Sequence, residues 1–131
     1  MDTERATPPR LGCSVIMEVT KTFRFEAAHW LPRVPEGHQC GRMHGHSYVV
    51  DVAIEGRVDP LTGFVMDFSE IKSAWQPMDE ILDHHCLNEV VENPTAEMLA
   101  FHIWQSLAGT LPLRAITVHE TCTASVTYRG H

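Results

Sequence analysis

Alternating apolar rows that run into ionisable side chains constrain this chain more than any other feature. From Val19 onward, Val19, Phe23, Phe25 and Ala27 share one face of a period-two pattern, and Thr20, Thr22, Arg24 and Glu26 take the other. Lys21 is the one charge in the apolar row, which ends in His29. A second run, from about Ser47 to Glu55, puts Tyr48, Val50, Val52 and Ile54 on one face, and followed backwards it reaches His46 and His44. A third holds Ile116 and Val118 and ends in Glu120, and a fourth holds Ala124, Val126 and Tyr128. Ionisable groups at the ends of core-facing rows are costly unless they find partners. One metal and ligand site at one end of a shared sheet would supply them.

Between the second and third runs the period changes. Asp59-Pro60-Leu61-Thr62-Gly63 is a turn by composition. Asp67-Phe68-Ser69-Glu70 has the form of a capping box, followed by Phe68, Ile71, Trp75, Met78 and Leu82 at helical spacing. Pro77 is expected to kink this helix or to start a second one, because it lacks a backbone N–H. Asn93-Pro94-Thr95 opens another helix, whose apolar stripe is Ala96, Leu99, Ala100, Ile103, Trp104 and Leu107. The order is strand, strand, helix, helix, strand, strand. It predicts an α+β layer, ββααββ, with a four-stranded antiparallel sheet and two helices on one face.

A chain of 131 residues fits one domain and can bury a core without staples. Residues 1–17 are polar, with Pro8-Pro9 and mixed charges, and read as a flexible extension ahead of a single domain over 18–131. The formal net charge of -7 argues against a general nucleic-acid binder, and an anionic substrate must then be met by a local cluster of Lys and Arg. The four cysteines, at 13, 40, 86 and 122, form no CxxC pair, and no secretory or membrane segment is evident, so reduced thiols in a cytoplasmic protein are expected.

Cys40-Gly41-Arg42-Met43-His44-Gly45-His46 concentrates the chemistry. His44 and His46, two apart on a strand, leave the same face, and Gly45 adds no bulk between them. Neutral imidazoles suit zinc, and a catalytic zinc usually takes three protein ligands and keeps one position open. His29 is the third ligand on offer. Cys40, between Gln39 and Gly41 and near Arg42, is either a buried packing residue or a thiol favoured as the thiolate by a cation or metal. Asp83 beside His84 offers a carboxylate to orient an imidazole, or a solvated helix end. Glu120 offers two acceptor oxygens to a ligand with paired donors, or an ion pair with a neighbouring Arg or Lys.

The stretches Phe25-Glu26-Ala27-Ala28-His29, Cys40 to His46, Leu82-Asp83-His84-His85, Asn93-Pro94-Thr95-Ala96-Glu97 and Glu120-Thr121-Cys122-Thr123-Ala124 together resemble the 6-pyruvoyltetrahydropterin synthase superfamily. Within it the chain is most similar to the branch that forms 6-carboxy-5,6,7,8-tetrahydropterin in queuosine biosynthesis, because only three residues separate Cys40 from the His44-Gly45-His46 run. The pyruvoyl-forming relatives have a longer gap. The resemblance implies a tunnelling fold whose sheets close into a barrel as trimers, two of which stack into a homohexamer. It implies Zn2+ on His29, His44 and His46, Cys40 as proton-transfer group with Asp83 and His84 as a relay, and Glu120 as anchor of the pterin ring. The implied reaction takes 7,8-dihydroneopterin triphosphate to 6-carboxytetrahydropterin, acetaldehyde and triphosphate. Arg24, Arg42, Lys72 and Arg129 are candidates for the triphosphate by charge alone.

Two other functions fit parts of this pattern. A pyruvoyl-forming synthase shares the site but stops before carbon–carbon cleavage, and the short Cys40 to His44 gap argues against it. A zinc- or pterin-binding protein without turnover needs neither Cys40 nor the Asp83-His84 pair. No Gly-rich nucleotide loop is present, so neither ATP nor a dinucleotide is expected.

Overall fold

The computed structural model of the protein describes residues 15–131. Two long strands, β1 (Ile16–His29) and β2 (His44–Arg57), pair antiparallel along their whole lengths, from Ile16 opposite Arg57 to His29 opposite His44. Helix α1 (Phe68–Leu82) follows, then a two-residue strand β3 (His85–Cys86), helix α2 (Ala96–Leu107), and the antiparallel strands β4 (Leu113–Thr121) and β5 (Ala124–Tyr128). The sheet order is β3-β1-β2-β4-β5.

The alternation read from the sequence is the alternation that is buried. Phe25, Ala27, Tyr48, Val50, Val52, Ile54, Ile116 and Val118 meet Ile71, Trp75, Met78 and Leu82 of α1 and Leu99, Ala100, Ile103 and Leu107 of α2 in one core. Both helices therefore lie on one face of the sheet. Flat aromatic stacking reinforces the contact, with Phe23 on Trp75 at 4.8 Å between ring centroids and Phe25 on Tyr48 at 5.0 Å. Each helix starts on a side-chain cap: Asp67 accepts from the Ser69 N–H, and Thr95 from the Met98 N–H. No helix among the described residues is long and apolar enough to cross a membrane.

The α+β layer is as expected, with four differences. First, the sheet has five strands and is mixed, because β3 adds to the edge of β1 in parallel, Ala27 opposite His85 and Ala28 opposite Cys86. A two-residue strand leaves no period to read. It forms because His84 takes a left-handed backbone (φ 59°), which turns the chain leaving α1 back along β1. Second, β2 begins at His44 and not at Ser47, so all three histidines stand on paired strands. Third, Pro77 neither ends nor divides α1. It sits with Ser73 on the exposed side of the helix, where water can meet the carbonyl left without a partner. Fourth, the expected extension over 1–17 is too long by its last residues, since Ile16 and Met17 are paired with Arg57 and Gly56. The remainder of that extension up to residue 14, with Cys13, lies outside the described residues.

Candidate metal centre and its surroundings

The β1–β2 ladder ends in a pair of histidines, His29 facing His44, and this register brings the triad together. The ligand atoms of His29, His44 and His46 all lie within 4.8 Å of one another. His29 is fully buried, and its two neighbours are partly buried.

Hydrogen bonds decide which ring nitrogens are available. His29 Nδ1 lies 2.8 Å from the carbonyl oxygen of Pro94, and His44 Nδ1 lies 2.6 Å from that of Arg42. A carbonyl only accepts, so each Nδ1 carries the hydrogen and donates it, and each neutral ring is left with a bare Nε2. Those two Nε2 atoms stand 3.0 Å apart. Two lone pairs at that distance repel unless a cation or a proton lies between them. The third ring adds to the same deficit: His46 Nε2 is buried without a hydrogen-bond partner, with the Glu120 carboxylate 3.5 Å away. Two convergent imidazole lone pairs set by backbone carbonyls, with the unpartnered His46 Nε2 beside them, fit a divalent cation such as zinc.

Electrostatics favours the neutral form of His29 that a metal needs. Burial holds His29 below its ordinary pKa, against the opposing pull of the Pro94 hydrogen bond and the Glu120 charge. The Tyr48 hydroxyl, 3.2 Å from His29 Nδ1, is pushed well above its ordinary range, first by burial and then by Glu120, so it stays a neutral phenol.

The other expected site residues fall around this centre. Glu120 lies beside His46, and the ion pair with Arg or Lys considered above is not formed among the described residues. Asp83 and His84 do meet, with His84 Nδ1 at 2.9 Å from Asp83 Oδ2. The other carboxylate oxygen of Asp83 accepts from the Glu26 N–H at 2.9 Å, and the His84 N–H donates to the Glu26 carbonyl. The Glu26 N–H, and after it His84, hold Asp83 below the usual carboxylate range, so it remains ionised. Two cavities flank His46. One, of about 530 Å³, is lined by Glu26, Ser47, His84, His85 and Cys86 together with His46. The other, of about 510 Å³, is lined by Arg24, His119, Glu120 and Cys122 among others. Cys40 lies in the short turn Gln39–Gly41, half-buried and reduced, and lines neither cavity. No hydrogen bond among the described residues joins its thiol to the triad.

Nothing in the sequence marks Pro94 or Tyr48 as part of the site. Asn93-Pro94-Thr95 was legible as a helix start, but the use of the Pro94 carbonyl depends on α2 packing its first turn against the end of β1.

A family profile described as 6-pyruvoyl tetrahydropterin synthase matches residues 18–131, the segment that carries all of these groups. The chain belongs to this family. It is 40% identical over 119 residues to a 6-carboxy-5,6,7,8-tetrahydropterin synthase of Synechocystis sp., covering 84% of this chain and 91% of that one. It is 38% identical over 96 residues to a 6-pyruvoyl tetrahydrobiopterin synthase of Poecilia reticulata, covering 66% of this chain and 65% of the other. The solved 6-pyruvoyl tetrahydropterin synthase of Caenorhabditis elegans superposes with a TM-score of 0.81 at 27% identity, over 89% of this chain and 97% of that one. The subunit thus has the expected fold of this family.

Buried His29 and partly buried His102 give a pH prediction for the metal-free protein. Burial lowers the pKa of His29 and of His102 from 6.5 in the folded state, so the unfolded chain binds more protons as the pH drops below that value. The stability contribution is fully present above about pH 6.5 and is lost as the pH falls toward the folded-state values. In chelator, the melting temperature is expected to fall between pH 7.5 and pH 5.5; a flat or rising profile would show that these rings are not held neutral.

Proposed function

We propose that the protein is a zinc-dependent carbon–carbon lyase of the 6-carboxytetrahydropterin synthase type. Its substrate is 7,8-dihydroneopterin triphosphate, and its products are 6-carboxy-5,6,7,8-tetrahydropterin, acetaldehyde and triphosphate, in queuosine biosynthesis. The observation that carries this reading is the convergence of three imidazole rings, two of them with a bare Nε2, beside one carboxylate, Glu120, at the end of the sheet. The Synechocystis relative and the short spacing from Cys40 to His44 favour the carboxy-forming reaction, and the oriented Asp83-His84 pair favours turnover over binding alone.

Zinc, when bound, supplies Lewis acidity at the hydroxyl-bearing side chain of the substrate. The protein's own groups do the rest. Glu120 accepts two N–H bonds from the amino-pyrimidinone edge of the pterin and fixes the ring. Cys40 takes and returns a proton at the substrate side chain. His84, held by an ionised Asp83, is stabilised in its charged form and carries the proton onward. Elimination of triphosphate and cleavage of the side chain both need proton movement of this kind and no redox cofactor.

The direct test is incubation with dihydroneopterin triphosphate and identification of the products. Acetaldehyde and the carboxypterin are expected, and a pyruvoyl pterin without acetaldehyde would transfer the protein to the pyruvoyl-forming branch. Cys40→Ala is expected to keep zinc and bind substrate while turnover falls by about 100- to 10,000-fold. Near-normal turnover would make Cys40 a packing residue.

Assembly follows from the open edges. β3 covers β1 only at Ala27 and Ala28, and β5 forms the other border of the sheet. Unprotected edges call for partners. In the proposed arrangement three sheets close edge to edge into a barrel, and two barrels stack as a homohexamer. A neighbouring chain would then bring its Asp83 and His84 to Cys40, whose thiol makes no hydrogen bond to that pair among the described residues of one chain. Mixing inactive Cys40→Ala and His84→Ala chains is expected to restore part of the activity. No recovery despite subunit exchange would place the whole site within one chain.

A further inference from the structure

Residues 30–43 join the last residue of β1 to the first of β2, and the short turn Gln39–Gly41 is the one regular element in that stretch. Cys40 therefore takes its position from a few individual hydrogen bonds and not from a ladder. Both polar groups of its backbone are held. The Cys40 carbonyl accepts from the Leu31 N–H at 2.9 Å, and the Cys40 N–H donates to His38 Nδ1 at 3.0 Å. Around them the His38 carbonyl accepts from the Gly41 N–H, and the Gln39 carbonyl from the Arg42 N–H. Bonds between backbone groups need no particular side chain. The bond to His38 does, because its ring caps the start of the turn. It is the one side chain bonded to the Cys40 backbone among the described residues.

Ser, Thr, Asp and Asn are the usual acceptors at such a cap. An imidazole accepts only through a nitrogen that carries no hydrogen. His38 Nδ1 is that nitrogen, so the ring is neutral with its hydrogen on Nε2. A histidinium would turn a hydrogen toward the Cys40 N–H, and the bond could not form. His38 is exposed, so protons reach it from solution. The charged groups that line the same hollow are Glu36 and Arg42, one of each sign.

We propose that neutral His38 is a positioning residue for Cys40. Its ring fixes the turn that presents the thiol, and protonation of the ring loosens that turn. The effect on turnover rests on the lyase reading above, whereas the placing of the thiol does not. A proton-transfer group acts only within hydrogen-bond reach of the atom it serves, so a small displacement of the turn costs rate more than binding.

The test compares wild type, His38→Ala and His38→Asn as zinc-loaded proteins. Alanine removes the acceptor, and asparagine restores one that does not titrate. The first readout is the rate at which iodoacetamide alkylates Cys40, followed by peptide mass spectrometry with Cys86 and Cys122 as internal references. At about pH 8 the half-buried Cys40 is expected to react several-fold faster in His38→Ala and at the wild-type rate in His38→Asn, with the reference thiols unchanged. Toward about pH 5.5, through the range where histidine takes up its proton, the wild-type rate is expected to rise relative to that of His38→Asn. Both proteins carry the same metal ligands, so zinc loss at low pH cancels in this ratio. The second readout is turnover of dihydroneopterin triphosphate. In His38→Ala, kcat is expected to fall by about tenfold or more with KM little changed, and asparagine to restore most of it. A lower melting temperature in His38→Ala with unchanged Cys40 alkylation and kcat would make the ring a structural cap and overturn the proposal. So would a ratio of wild type to His38→Asn that stays flat with pH. Absence of turnover in the wild type would overturn the lyase reading, and the alkylation rates would still decide the role of His38.

Discussion

The hydrogen bond from buried His29 Nδ1–H to the Pro94 carbonyl is the contact on which the site depends. It joins the end of β1 to the residue before the Thr95 cap of α2, so the strand and the helix cannot shift independently. It satisfies the polar ring of His29, which is fully buried. It also fixes the tautomer, and so aims a lone pair, not a hydrogen, at His44. Pro94 itself is buried and has no N–H to leave unsatisfied, which makes its carbonyl a suitable fixed acceptor.

The rest of the fold holds that contact in place. The unbroken β1–β2 ladder carries His29 to its position opposite His44. The core beneath, from Phe25 and Tyr48 to Leu99 and Ile103, excludes water from the inner side of the triad. On the other side of β1, Glu26 presents its N–H and carbonyl to Asp83 and His84, so the same strand that supplies a metal ligand also orients the carboxylate–imidazole pair. Left-handed His84 is the only residue other than glycine with positive φ among the described residues, and it stands at the start of the segment that makes this contact. A strained backbone at a position with chemical work is a recurrent feature of functional sites.

Much of this was legible in the sequence, for physical reasons. Period two marked β1, β2 and β4 because one face of each is buried, and β5 because Val126 and Tyr128 are half-buried against the core, and the interruption of those rows by His29, His46 and Glu120 marked where the core gives way to chemistry. Helical spacing and capping residues marked α1 and α2. What stayed hidden was whatever depends on packing between elements. Two residues of β3 carry no periodicity. The role of Pro94 arises from a backbone carbonyl, which every residue has. The tolerance of α1 for Pro77 reflects its solvent-facing position. The contact between adjacent Asp83 and His84 depends on a backbone turn that neither residue type announces.

The central claim is that the rings of His29, His44 and His46 form one metal centre. It is tested most directly by measuring metal content and X-ray absorption on the purified protein and on His29→Ala and His44→Ala. About one zinc per chain is predicted, with nitrogen ligands at about 2.0–2.1 Å, and each substitution should remove most of the metal while the protein stays folded. A full complement of zinc in both variants would contradict the account.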